Sequence, residues 1–136
     1  MTRVLVVDDM KFMRRMIKNI LVELGCTVIG EAGDGIEACE KYVQLIPDLV
    51  TLDVDMPKLG GIEALKRIRA GNPHAKVIMV SAFEEPGQIE DALRFGAIDY
   101  LRKPLDRQQM RETIQHILAA SCDRPETGGG TQPRVK

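Results

Sequence analysis

Hydrophobic residues along the chain follow two different spacings. Five short runs have the length and composition of β-strands, at residues 4–7, 27–31, 49–52, 76–80 and 97–101. Four of these runs are apolar almost throughout, which is typical of strands covered on both faces of a parallel sheet. The pattern therefore predicts a five-stranded parallel sheet with helices on both of its faces.

Between these runs, apolar residues recur three and four positions apart, which is helical spacing. Glycine, proline and N-capping residues mark where the five predicted helices begin or end. The boundaries fall at Gly25, between Asp34-Gly35 and Pro47, between Gly60-Gly61 and Gly71, between Pro86 and Gly96, and at Asp106. The residues predicted to face the core are Phe12, Met13, Met16, Ile17, Ile20, Leu21 and Leu24; Ile36, Cys39, Val43 and Ile46; Ile62, Leu65 and Ile68; Ile89 and Leu93; and Met110, Ile114, Ile117 and Leu118.

Five strand–helix units in a chain of 136 residues predict an open α/β sheet. Alternating units imply parallel strands with right-handed crossovers, and a closed eight-unit barrel needs roughly 250 residues. We therefore expect one doubly wound domain over residues 1–122. Residues 123–136 have no periodicity, three consecutive glycines and two prolines, so we expect a disordered tail or the start of a linker there.

Composition and charge exclude several classes of protein. Lys and Arg number 19 against 20 for Asp and Glu, which argues against a polybasic nucleic-acid or membrane binder. The longest apolar stretches fall far short of the roughly 20 residues that span a bilayer, and we expect a soluble, cytoplasmic protein. The cysteines Cys26, Cys39 and Cys122 are odd in number and lack CxxC spacing, so neither a disulfide framework nor a zinc site is indicated.

Chemically distinctive side chains follow four of the five predicted strands. In an open parallel sheet the functional crevice lies beyond the carboxyl ends of the strands, so these side chains are expected to converge. They are Asp8 and Asp9 after the first strand, Asp53 and then Asp55 after the third, Ser81 after the fourth, and Lys103 after the fifth.

A cluster of three carboxylates needs a positive charge among them. Each pair repels by about 4 kcal/mol at roughly 4 Å and an effective dielectric constant near 20. Mg²⁺ fits best, because it takes one or a few carboxylates, keeps several waters and shares its remaining positions with phosphate oxygens, whereas zinc favours His or Cys. The two histidines, His74 and His116, fall outside this end of the predicted sheet.

The same groups are suited to phosphoryl transfer. With a metal bound, one carboxylate can attack phosphorus while an ammonium group neutralises the equatorial oxygens. We expect Asp53 to be the nucleophile, because it ends the most apolar strand, and Lys103 to supply the ammonium group. Ser81 would then donate a hydrogen bond to the attached phosphoryl group.

At these residues the sequence resembles the receiver domain of bacterial two-component response regulators, most of all the single-domain CheY-like chemotaxis regulators. The likeness covers residues 1 to about 120 and implies the flavodoxin-like fold, with five helices and strand order 2-1-3-4-5. The matching motifs are Asp8-Asp9, the run Asp53-Val-Asp-Met-Pro57, Ser81-Ala82, Lys103-Pro104, and Tyr100 three residues before Lys103.

The resemblance implies a role for each of these residues. Asp53 is the phospho-acceptor, Tyr100 is the switch aromatic, and the Lys103-Pro104 peptide is cis. The implied Mg²⁺ ligands are Asp8, Asp9, Asp53 and the backbone carbonyl of Asp55. Asp55 and Phe83, which lies two residues after Ser81, occupy positions that tune the lifetime of the phosphoryl group.

The implied function is a phosphorylation-activated signalling switch, not an enzyme with a separate substrate. A sensor histidine kinase, for example a CheA-like one, or a small phosphodonor transfers the phosphoryl group to Asp53. Ser81 is drawn toward it, and Tyr100 fills the space vacated. The face built from the fourth helix, fifth strand and fifth helix then changes its affinity for a downstream protein, such as a flagellar motor switch protein. We expect a monomer with no direct nucleic-acid or membrane binding.

Three alternative interpretations stay open. The run Leu52-Asp53-Val54-Asp55 also matches the nucleophile motif of haloacid-dehalogenase-type Mg²⁺ phosphatases, although in that family the acidic pair comes late and a cap domain is common. A dinucleotide or flavin module would need a glycine-rich first turn, which is missing here. The chain is also compatible with the receiver fragment of a longer transcriptional regulator, in which residues 128–130 begin a linker.

Overall fold

The computed structural model describes residues 2–82 and 86–122, in which strands and helices alternate. All strand pairs are parallel, and the strands lie in the order β2-β1-β3-β4-β5. This arrangement confirms the predicted fold, including the strand order. The elements are β1 (Arg3–Val7), α1 (Lys11–Glu23), β2 (Thr27–Ala32), α2 (Gly35–Leu45), β3 (Leu49–Asp53), α3 (Gly61–Gly71), β4 (Val77–Ser81), α4 (Pro86–Arg94), β5 (Asp99–Arg102) and α5 (Arg107–Cys122).

The sheet separates two apolar cores. One contains residues of α2, α3 and α4, and the other contains residues of α1 and α5. Alternate residues of β1 point to opposite sides, with Leu5 and Val7 in the first core and Val4 and Val6 in the second. Because β3 and β4 are buried along their whole length, the middle of the sheet gives rigid support to the residues at the carboxyl ends of these strands.

The buried face of α2 differs from the prediction. Ile36, Val43 and Ile46 were expected in the core, but they are 44%, 74% and 61% exposed, and the helix buries Ala38 and Tyr42 instead. The small side chain of Ala38 lets the helix backbone come close to its neighbours. The hydroxyl of Tyr42 accepts a hydrogen bond from the side-chain amide of Asn72 at 2.9 Å, which fixes this face against the end of α3.

Two other residues predicted to be in the core are exposed. Phe12 lies in the first turn of α1 and is 68% exposed, because Met13, Ile17 and the residues in line with them form the buried face of that helix. Leu93 of α4 is 42% exposed, and the neighbouring Ala92 is fully buried in its place. In α5, by contrast, all the predicted core residues are buried or partly buried.

The last strand begins two residues later than predicted. The backbone N–H of Ala97 donates to the carbonyl of Ala92, and Gly96 has φ 107°, so this segment closes the end of α4. A positive φ of this kind is the usual reason for glycine just past a helix end. The strand therefore starts at Asp99.

Several sequence predictions fall outside what the structure describes. Phe83, the side chain of Cys122 and residues 123–136 belong to this group, so the domain boundary at residue 122 stays a prediction. Within the described residues, Cys26 and Cys39 are free cysteines. Over the same part of the chain, no helix is both long and apolar enough to cross a membrane.

Candidate functional site

The carboxyl edge of the sheet brings an acid pair and an amine together. Asp8 directly follows β1 and is fully buried, and Asp53 is the last residue of β3 and is 2% exposed. The side chain of Lys103, which follows β5, is 14% exposed and reaches past the end of β4 to the ends of β3 and β1. Its Nζ lies 3.0 Å from Asp8 Oδ2 and 3.4 Å from Asp53 Oδ1.

Burial and charge shape the protonation of this cluster. Burial and, after it, the neighbouring charge of Asp8 together raise the pKa of Asp53 to about 7, although Lys103 acts in the opposite direction. Burial lowers the pKa of Lys103, but its ion pairs with Asp8 and Asp53 outweigh that effect, so that the net shift is upward. Lys103 therefore stays an ammonium ion, while Asp53 is poised to exchange its proton near neutral pH.

The acidic residues fit a hard divalent cation. Carboxylate oxygens of Asp8, Asp9 and Asp53 all lie within 4.8 Å of one another. Asp8 Oδ2 and Asp53 Oδ1 are buried and accept no hydrogen bond, although both lie at ion-pair distance from Lys103. Buried oxygens without donors are costly, and an all-carboxylate set with open positions suits Mg²⁺. Asp9 is exposed, which leaves this side of the group open to solvent.

The loop after β3 is held close to Asp53. The backbone N–H of Asp55 donates to the carboxylate of Asp53, and the side chain of Asp55 is exposed and lies outside the group of clustered acids. Gly61 packs so tightly that a Cβ there would collide with the carbonyl oxygen of Asp53. The first residue of α3 must therefore be glycine for the loop to keep this path.

Ser81 and Tyr100 lie on the neighbouring strands. Ser81 ends β4 and is fully buried, and its carbonyl accepts a hydrogen bond from the Lys103 backbone N–H at 2.7 Å. Tyr100 is half-buried on β5, where it pairs with Met79, and its hydroxyl donates to the side chain of Gln88 on α4 at 3.4 Å. The Lys103-Pro104 peptide is cis, as the family resemblance implied.

Two residues of the site were missed by the sequence analysis. Arg14 of α1 donates from Nη1 to the carbonyl of Asp8 at 2.6 Å and from Nε to Glu31 of β2 at 2.8 Å. Arg14 and Glu31 are 17 residues apart and belong to no recognised motif, so only the three-dimensional structure could connect them. By contrast, His74 and His116 are exposed and lie away from the site, as expected.

Comparison with known families agrees with this geometry. The family model of the response regulator receiver domain matches residues 4–115. The chain belongs to this family. Chemotaxis protein CheY of Listeria monocytogenes is 45% identical over 115 residues, which cover 85% of this chain and 97% of that protein. The protein-glutamate methylesterase/protein-glutamine glutaminase of Thermotoga maritima is 50% identical over 134 residues, which cover 92% of this chain but 39% of that protein.

Solved structures give the same result. A chain from the CheX-CheY-BeF3-Mg complex of Borrelia burgdorferi superposes with a TM-score of 0.83 at 36% identity, over 86% of this chain and 89% of that one. The response regulator domain of Thermotoga maritima CheB has a TM-score of 0.79 at 43% identity, over 91% and 98%. This receiver domain is thus a signalling module of the phosphorylation-controlled kind, and the phosphatase and transcriptional-regulator alternatives are not favoured.

Proposed function

We propose that this receiver domain is a chemotaxis switch that accepts a phosphoryl group on Asp53. The observation that carries the proposal is the position of Lys103, whose ammonium group lies within 3.4 Å of both buried carboxylates. A cation held between the metal-binding acid and the nucleophile can neutralise the oxygens of a phosphoryl group that arrives at Asp53. The similarity to CheY proteins over most of their length supports the choice of pathway.

The proposed reaction is an in-line transfer to a carboxylate oxygen. An oxygen of Asp53 attacks the phosphorus as the N–P bond of a phosphohistidine, or the O–P bond of acetyl phosphate, breaks. The imidazole or acetate leaves with the bonding electron pair. Asp53 must be ionised to attack, and Lys103 favours the ionised form. Mg²⁺ bound by Asp8, Asp9, Asp53 and the Asp55 carbonyl would supply further positive charge to the phosphoryl oxygens.

The response to phosphorylation is proposed to run through Ser81 and Tyr100. Ser81 ends the strand beside β3 and can donate its hydroxyl proton to a phosphoryl oxygen on Asp53. Tyr100 lies on the strand next to that of Ser81, so a movement of Ser81 would change the space available to the Tyr100 side chain. The hydrogen bond from Tyr100 to α4 would pass this change on to the helix. The face of α4, β5 and α5 then binds its target with a different affinity, which is a population shift between two conformations.

The proposed partners follow from this chemistry. A histidine kinase, for example a CheA-like one, supplies the phosphoryl group, and a protein such as a flagellar motor switch component binds the output face. The domain is not an enzyme with a separate substrate: it promotes only its own phosphorylation and dephosphorylation. We also predict a cytoplasmic location, because a histidine kinase that uses ATP acts there. The monomeric state and the lack of nucleic-acid binding also stay predictions.

A second candidate is a receiver that controls an attached effector. The 50% identity to a methylesterase that the chain covers only in part favours it. The chemistry at Asp53 is the same in both cases. The two candidates differ in whether the output face binds a separate target or an effector on the same polypeptide.

Intact mass after addition of acetyl phosphate tests the proposal. We expect the wild type to gain one phosphoryl group in the presence of Mg²⁺ and none in the presence of a chelator, and Asp53→Asn to gain none. Steady release of phosphate without an adduct would instead indicate a phosphatase. An equal gain by Asp53→Asn would place the acceptor elsewhere and refute the assignment.

A further inference from the structure

Asp8 is fixed by the rest of the chain at every polar atom except one. Its N–H donates to the carbonyl of Ala32 at 3.1 Å, and its Oδ1 accepts from the N–H of Met10 at 2.9 Å. Its carbonyl accepts from Nη1 of Arg14 at 2.6 Å. The remaining atom, Oδ2, accepts no hydrogen bond and points to Nζ of Lys103 at 3.0 Å. The chain thus holds Asp8 in one orientation and leaves a single oxygen for the site.

Arg14 is itself held in place from the edge of the sheet. Its Nε lies 2.8 Å from Glu31 Oε1, and its side chain is 16% exposed. Hydrogen bonds from Lys18 and Arg14 lower the pKa of Glu31, so this carboxylate is ionised at neutral pH. A planar guanidinium group can donate to Glu31 from one edge and to Asp8 from another, whereas the ammonium group of a lysine lacks this rigid fork.

The carbonyl that Arg14 contacts belongs to the peptide that joins Asp8 to Asp9. Its direction therefore sets how the two acidic side chains are placed relative to each other. Magnesium requires nearly ideal octahedral geometry, so small changes in the placement of its ligands reduce affinity. Groups that orient metal ligands from outside typically account for about 10- to 100-fold in metal affinity.

We propose that Arg14 is a positioning residue: by clamping the Asp8–Asp9 peptide to Glu31 of β2, it preorganises the acidic pair for a divalent cation. This inference rests on the proposed function, in which Asp8 and Asp9 bind Mg²⁺. Arg14 touches neither the phosphoryl group nor the cation in this role.

Whether Mg²⁺ affinity falls or rises when Arg14 is removed distinguishes a positioning role from a purely electrostatic one. Arg14 is a cation near an acidic cluster, so its charge alone repels Mg²⁺, and its removal would tighten metal binding. A positioning role predicts the reverse, that removal weakens binding. Lys18 provides a matched control, because it pairs with the same Glu31 at 2.6 Å and, unlike Arg14, forms no hydrogen bond with Asp8.

The test is calorimetric titration of Mg²⁺ into the full chain at one fixed pH. We expect the Mg²⁺ dissociation constant to rise about 10-fold in Arg14→Ala and in Arg14→Lys, which keeps the charge. Lys18→Ala should stay within about twofold of the wild type. In phosphorylation by acetyl phosphate, the Arg14 variants should need about 10-fold more Mg²⁺ for half-maximal rate, with the rate at saturating Mg²⁺ nearly restored.

The inference is overturned if both Arg14 variants bind Mg²⁺ as tightly as the wild type or more tightly, or if Lys18→Ala loses as much affinity as they do. Circular dichroism checks that each variant is folded, and Arg14→Lys decides the matter if Arg14→Ala is not. A wild type that binds no Mg²⁺ would refute the proposed function itself, which is a different result from unchanged affinity in the variants.

Discussion

Asp53 ends a strand whose five residues are all buried, and its carboxylate lies beside that of Asp8. Burial and this neighbouring charge raise its pKa to about 7, far above the value of about 3.9 in an unfolded chain. The folded state therefore binds more protons than the unfolded state between these two values. Its stability falls as pH rises through this window, and the loss is complete above the folded pKa.

Asp53→Asn should accordingly stabilise the metal-free domain in a pH-dependent way. The gain in free energy of unfolding over the wild type is expected to be small near pH 4 and to reach a few kcal/mol above pH 8. This size follows from the pKa of Asp53, which is roughly three units higher in the folded than in the unfolded state. Urea unfolding with chelator at several pH values measures it. The matched control is Asp55→Asn, which changes an exposed carboxylate two residues later and should have little effect at any of these pH values. A gain that is equal at pH 4 and pH 8 would contradict the electrostatic explanation.

Most residues of the site could be predicted from the sequence, but the residues that hold them in place could not. Asp8, Asp53 and Lys103 were identified because the topology of a parallel sheet brings strand ends together, and the structure places them in contact. The roles assigned to them stay predictions. The contact between Arg14 and Glu31 joins a helix to an edge strand, and no spacing rule connects two such positions.

Among the secondary-structure elements, α3 carries the tightest constraint near the site. A Cβ at Gly61 would collide with the backbone of β3 at Asp53, whereas a Cβ at Gly71, at the other end of the same helix, would meet nothing within 4 Å. Backbone atoms cannot move aside as the end of a flexible side chain can. A substitution at Gly61 therefore shifts either the helix or the strand that ends at Asp53.

Gly61→Ala is expected to reduce the free energy of unfolding by about 1–3 kcal/mol, which is typical of overpacking. It should also slow phosphorylation at Asp53. Gly71→Ala serves as the control and should be neutral or slightly stabilising, because alanine favours helix over glycine. Urea unfolding and the acetyl phosphate assay measure both effects. Equal stability of the two variants would show that the loop after β3 tolerates a side chain at Gly61.

The helices also show where periodicity stops being informative. In α2 and at the residue that ends it, Ile36, Val43 and Ile46 are exposed, whereas Ala38 and Tyr42 are buried, so hydrophobicity alone favoured the wrong residues. Which face of α2 is buried depends on how closely the helix can approach its neighbours, and a small residue allows a closer approach than a large one. It also depends on a hydrogen bond between Tyr42 and Asn72, which lie 30 residues apart.

Across the whole molecule, polarity distinguishes central strands from edge strands. β3 and β4 are buried at every residue, whereas β2 at one edge contains Gly30 and Glu31, and β5 at the other contains Asp99 and Arg102. The sequence could therefore indicate which strands lie inside the sheet. It could not give their order, because strand pairing depends on contacts between distant segments, and here the order came from the family resemblance.

The central claim is that the phosphoryl group is carried by Asp53, and chemical localisation tests it most directly. Borohydride reduces an aspartyl phosphate to homoserine, which peptide mass spectrometry can place in the sequence. After treatment with acetyl phosphate and Mg²⁺, we predict homoserine at position 53 and unmodified aspartate at positions 8, 9 and 55. Homoserine at any of those three positions, or a phosphate on Ser81 that resists borohydride, would contradict the account.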